Sequence, residues 1–201
     1  MQQRRGPLGL TVIGIAAIGI ALTGCTPAAV EPPSVTWQSG EPSGELESSP
    51  WVQAVRASDT ALSIAAFTRD YTSDALQDTT TEEAIDTAAQ WQRDEAKADR
   101  FFTYPGPVPM IPLSVDEQGD EALVTVCQAK DWYLDADHTS APELTEGREV
   151  VYRVISDGDS RLVETESVTT EECDISDASI ALFDPQPDPT ETYSPDDVKV
   201  P

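Results

Sequence analysis

Apolar residues change their rhythm along this chain, and each change marks an element. From Leu8 to Leu22 they form one run without charge. From Trp51 they recur at helical spacing. Trp51, Val52, Val55, Leu62, Ala65 and Ala66 fall together, with Arg56, Asp59 and Arg69 on other faces. Ser49-Pro50 supplies an N-cap and a first-turn proline, so the pattern predicts a helix ending near Tyr71. Thr80 and Glu83 have capping-box spacing and predict a second helix to about Phe101. Its expected buried stripe is Ala84, Ala88, Trp91, Ala98 and Phe102.

The period then drops to two. Pro105, Pro107, Pro109 and Pro112 exclude helix and impose extended backbone. Ile111, Leu113 and Val115 alternate, and Glu117-Gln118-Gly119-Asp120 reads as a turn. A strand follows from Glu121 to Leu134, with Ala122, Val124 and Val126 on one face and Leu123, Thr125 and Cys127 on the other. Further strands are expected at Arg148–Ile155 and Arg161–Thr169, joined by a turn at Asp157-Gly158. A short apolar patch, Ile180 to Phe183, is expected to dock on the sheet. Helices first and antiparallel strands afterwards define an α+β domain over residues 49–183, two helices on a curved sheet of about four strands. Residues 25–48 are rich in Pro, Ser and Glu, and residues 184–201 in Pro and Asp, so both predict disorder.

The first 25 residues bear on location. The run from Leu8 to Leu22 is too short for a spanning helix, which needs roughly 20 apolar residues, and fits a signal core of about 7–15. Arg4 and Arg5 precede it, and Leu22-Thr23-Gly24-Cys25 closes it. This layout resembles the lipobox of bacterial lipoproteins. The resemblance implies that residues 1–24 are a signal peptide and that Cys25 becomes a lipid-modified N-terminus. The chain would then be held at the extracytoplasmic face of the cell membrane, on a tether reaching roughly 25–30 Å. With Cys25 lipidated, Cys127 and Cys173 remain. Oxidising surroundings favour a disulfide between them, and the rival metal or redox pair lacks the close spacing such sites use.

Charge narrows the partners. Without residues 1–24 the chain has 10 Lys and Arg against 37 Asp and Glu, a formal charge of −27. Such a surface repels phosphate backbones and excludes nucleic acid as a partner class.

The element order, Asp157-Gly158 before the last strand and the two late cysteines resemble the nuclear transport factor two-like, cystatin-like cone fold. The resemblance implies a hollow between helix and sheet. Ketosteroid isomerase-like members place an Asp or His base in that hollow. The only histidine, His138, stands in an acidic stretch that reads as a surface loop. Tyr104, Tyr133 and Tyr152 are pocket candidates, though strand tyrosines more often belong to a core. Asp135, Asp137, Thr139 and Glu146 occupy positions 1, 3, 5 and 12 of an EF-hand-like loop. Ser140 replaces its turn glycine and Pro142 intrudes, so no metal, cofactor or catalytic residue is assigned. The sequence therefore predicts a non-enzymatic binding or scaffold lipoprotein whose partner is a small apolar ligand or an envelope protein. A cone-fold enzyme is the alternative. A buried Asp or Glu of raised pKa in the hollow would favour that enzyme, and a hollow filled by Trp51, Trp91 and Phe102 would oppose it.

Overall fold

The structure, a computed structural model, describes residues 30–201. The signal run and Cys25 lie outside them. Among the described residues no helix is long and apolar enough to cross a membrane.

The domain is α+β. In chain order it comprises β1 (Ser34–Trp37), α1 (Pro50–Thr68), α2 (Asp74–Gln77), α3 (Glu82–Lys97), β2 (Met110–Gln118), β3 (Glu121–Ala129), β4 (Gly147–Asp157), β5 (Ser160–Cys173) and β6 (Ala181–Asp184). Strands β2 to β5 form one antiparallel sheet in sequence order, and β1 pairs with β6 in a separate ribbon. Ser49 caps α1 through its hydroxyl, and Pro50 opens the helix as expected. The helix stops at Thr68 because Arg69 turns left-handed, with φ 57°. At the second helix Thr81, rather than Thr80, is the cap. Thr80 is instead buried, its hydroxyl 2.8 Å from that of Ser58.

Three cores hold the elements together, built from residues between 51 and 198. In the first, Trp51, Val52 and Val55 of α1 lie on Ala122, Val124 and Val126 of β3 and on Val150 and Val154 of β4. The face expected of β3 is the face observed. In the second, Ala61 and Ala65 of α1 meet Leu76 of α2, Ile85 and Ala89 of α3, and Val198. The third lies against the opposite side of β3, where Cys127, Ala129 and Trp132 pack with Ile175 and Ala178. Cys127 and Cys173 are joined by a disulfide there, with Cα atoms 5.8 Å apart. Gly147 makes room for it, since a Cβ at that position would stand 2.5 Å from the Cys127 sulfur.

Several expectations are corrected. The α3 stripe is rotated by one residue: Ile85, Ala89, Gln92 and Ala96 are buried, while Ala98 and Trp91 are exposed. The expected strand to Leu134 ends at Ala129, because Asp131 adopts a positive φ of 52°. The stretches expected to be disordered make defined contacts. Within residues 25–48, Ser34–Trp37 is a strand. Within residues 184–201, Val198 is fully buried, and Lys199 exchanges backbone hydrogen bonds with Arg69 and Tyr71. Two or three well-placed apolar residues anchor a segment even when its composition is otherwise that of a free chain.

Candidate functional site

One end of the sheet is left unfilled, and the sequence shows why. The face of β3 that carries Ala122, Val124 and Val126 continues to Gln128, and its partners on β4 run Val154, Tyr152, Val150 and Arg148. Apolar rows thus turn polar at the same level. α1 changes at the same level: beyond Val55 the side chains toward this end are Asp59, Leu62, Ser63 and Ala66, at i, i+3, i+4 and i+7. α3 adds Ala88, Trp91 and Gln92 at i, i+3 and i+4. Small and polar groups from both helices cannot fill the space. A hollow of about 180 Å³ remains.

The hollow adjoins an outer cleft of about 730 Å³, and the two share Trp91, Phe102, Tyr104, Val108 and Gln128. Three of these five are aromatic. Trp91 and Phe102 have ring centroids 4.5 Å apart, and Phe102 lies edge-on to Tyr104 and Tyr133 at 6.2 and 6.5 Å. Trp91 is 48 % exposed, an unusual cost for a large apolar ring unless something covers it.

Asp59 stands at the inner end. The chain from Pro105 to Pro109 crosses beside it as a strap in which alternate residues are proline and lack an N–H. Val108 retains its N–H and donates it to Asp59 Oδ2 at 2.9 Å. The strap itself is fixed. Trp132 Nε1 donates to the Gly106 carbonyl at 3.1 Å, and Phe183 N to that of Pro105 at 2.9 Å. Gly106 has no room for a side chain, because a Cβ would lie 2.2 Å from the Ala181 carbonyl oxygen.

Burial pushes the Asp59 carboxyl up to about 7, against the opposing pull of the Val108 N–H and the Arg56 guanidinium. Burial, then the Asp59 carboxylate, raises the Tyr104 phenol to about 12. Tyr152 rises for the same two reasons, and its hydroxyl accepts a hydrogen bond from Gln128 Nε2 at 3.0 Å. The second oxygen of Asp59 accepts no hydrogen bond among the described residues. A carboxyl that titrates near neutrality therefore lines an aromatic-walled space with one of its two oxygens unbonded.

Of the residues singled out in the sequence, Tyr104 and Tyr133 line the cleft, and Tyr152 sits behind it. Cys127 and Cys173 are bonded to each other on the other side of the sheet. His138 is outside the hollow, its side chain 65 % exposed and its Nδ1 2.9 Å from Asp135 Oδ1. That same oxygen accepts from the backbone N–H groups of Asp137 and His138, so it serves its own loop. Among the described residues no three His, Cys, Asp or Glu side chains gather as metal ligands.

Asp59 and Trp91 were missed. Asp59 follows Val52 and Val55 and precedes Leu62 and Ala66 at core spacing, and a carboxyl at such a position was the available signal. No protein-family model matches the chain, and neither does any curated protein or solved structure.

Proposed function

We propose that this chain is a lipoprotein, held through Cys25 at the extracytoplasmic face of the cell membrane, whose cone-like domain binds a small molecule in the cleft and hollow. The observation that carries the binding role is an aromatic cleft that shares its walls with an inner hollow lined by Asp59. Pockets of this kind bury apolar ligand surface against aromatic walls and fix orientation through a few polar groups. Of the two partner classes, a small ligand fits this concave site better than an envelope protein does. Trp91 and Phe102 line the entrance without filling it, and Trp51 belongs to the distant core.

Two experiments test the two halves of the proposal. The mass of the membrane-extracted protein should show Cys25 carrying acyl chains, and an unmodified Cys25 removes the anchor. Because the cores lie between residues 51 and 198, ligand binding can be read on the acyl-free chain from residue 26. N-phenyl-1-naphthylamine should brighten on binding to it, and Trp91→Ala should abolish the signal. No brightening, or brightening unchanged by Trp91→Ala, refutes the cleft as the binding place.

A second reading has its own support. Asp59, raised to about 7, with Tyr104 beside it, is the pairing of base and hydrogen-bond donor that a cone-fold isomerase would use. The alternative places Asp59 as general base and Tyr104 as donor to a developing oxyanion. Turnover of a β,γ-unsaturated ketone that disappears in Asp59→Asn would establish it.

A further inference from the structure

The hollow holds one carboxyl, that of Asp59, among the hydroxyls of Ser63, Tyr71 and Tyr104. One of the Asp59 oxygens takes the Val108 N–H, and the other accepts no hydrogen bond among the described residues. The Gln92 amide is engaged elsewhere, its Nε2 donating to the Ala66 carbonyl at 3.0 Å and the group meeting the Tyr193 side chain. A buried acceptor without a donor is costly, so a ligand that brings N–H groups gains where one with only acceptors loses.

The entrance points the same way. Lining the outer cleft are Glu95, Asp99, Asp131, Asp135 and Asp137. Against them stand Arg100, already paired with Glu95, and Arg148, which makes no ion pair among the described residues. Trp91, Phe102 and Tyr104 line both the cleft and the hollow, and aromatic faces attract cations. At −27 for the chain without residues 1–24, the wider field also draws cations in and turns anions away.

From these observations we infer that the ligand is an organic ammonium, its hydrocarbon body against Trp91, Phe102 and Tyr104 and its N–H groups delivered to Asp59. The inference rests on the small-molecule reading above and adds the ligand's charge. Arg56 on α1, Tyr104 just before the strap and Tyr152 on β4 are the titratable groups that bear on Asp59, and of these only Arg56 is a cation. Arg56 is bonded bidentately to Glu47, so its charge is largely answered elsewhere. An unoccupied Asp59 is partly protonated at neutral pH. An ammonium opposite it restores the ionised form, and binding near pH 6.5 should release a proton.

The test compares three probes of one shape on the acyl-free chain: 2-phenylethylamine, 2-phenylethanol and 3-phenylpropionate, by calorimetry in two buffers of different ionisation enthalpy. The amine should bind about tenfold or more tighter than the alcohol, with the carboxylate weakest and a proton released only with the amine. Asp59→Asn should level amine and alcohol, and Trp91→Ala should weaken both. If Asp59→Asn does not fold, proton release and Trp91→Ala still decide. Equal binding of amine and alcohol overturns the ammonium and leaves the small-molecule site standing. Tightest binding of the carboxylate overturns it in favour of Arg148. Binding of none of the three overturns both.

Discussion

The two ends of one sheet, under one helix, have opposite fates. At the closed end Val52 and Val55 meet Ala122, Val124, Val126, Val150 and Val154, and Trp51 seals the edge beneath the Arg161 guanidinium, 4.7 Å from the ring centroid. At the open end the equivalent rows read Asp59, Ser63 and Ala66 against Gln128 and Arg148. Backbone geometry is continuous between them, so side-chain volume and polarity alone decide which end is core and which is cavity. Stability is concentrated in the first and the candidate chemistry in the second. The clearest contrast is between two tryptophans. Trp51→Ala should cost about 3–5 kcal/mol of unfolding free energy, as large-to-small changes in packed cores do. Trp91→Ala should stay within about 0.5 kcal/mol in the same urea titration while removing probe binding. Comparable destabilisation by both would mean that the open end is a core after all.

If the interior of the open end is poorly filled, its rigidity must come from outside. The disulfide lies across the sheet from Gln128 and Arg148, with Gly147 against both sulfurs. It closes a loop between residues 46 apart in sequence, and its reduction should lower stability by about 4 kcal/mol in the chain-entropy model. Amide exchange under reducing conditions should accelerate at Cys127 to Ala129 before it does at Ala122 to Val126. Uniform acceleration along β3 would show that the bridge supports the whole sheet equally.

The difference between the ends also has a pH signature. Asp59 has its folded pKa near 7 against 3.8 in the unfolded chain, so the folded state holds the extra proton between those values. Its contribution to stability is fully present below about pH 4 and is lost as pH rises through 7. A ceiling of about 4 kcal/mol follows from 1.36 kcal/mol per unit, and access of solvent through the hollow reduces it. Many other carboxylates titrate in the lower half of that range. The measurement is therefore the difference between wild type and Asp59→Asn, whose relative stability should rise from pH 4 to 7 and then level. A flat difference would show that Asp59 is solvated.

The same contrast explains what could be seen in the sequence. The closed end was legible, since strict alternation in Ala122 to Val126 and Trp51, Val52 and Val55 at helical spacing follow directly from burial. The order of helices and strands was legible for the same reason. The open end was misread because an aromatic residue was assumed to be core and a carboxylate to be surface. Trp91 and Asp59 reverse both assumptions. On α3 this shifted the expected buried stripe by one position, from Ala84 and Ala88 to Ile85 and Ala89. Order within residues 30–48 and 184–201 was illegible for a different reason: Pro-rich, acidic composition carries no sign that Val198 will find a slot between α1 and α3.

Converting the open end into a closed one is the most economical probe of the comparison. Ala66 lines the hollow one turn beyond Leu62, and Ala66→Leu would place three extra carbons where no side chain now stands. Filling an existing cavity returns dispersion contacts and buried apolar area without displacing packed neighbours. Cavity-filling changes of this sort commonly add about 0.5–2 kcal/mol. Here the gain should lie at the lower limit, because the new side chain would also desolvate Asp59 and press on Gln92, which donates to the Ala66 carbonyl. Probe binding should disappear at the same time. Stability gained together with binding lost would show that the hollow is kept open at a cost to the fold, which only a ligand explains. Stability lost, with probe binding intact, would place the binding surface in the outer cleft alone and reduce Asp59 to a partner for the Val108 N–H.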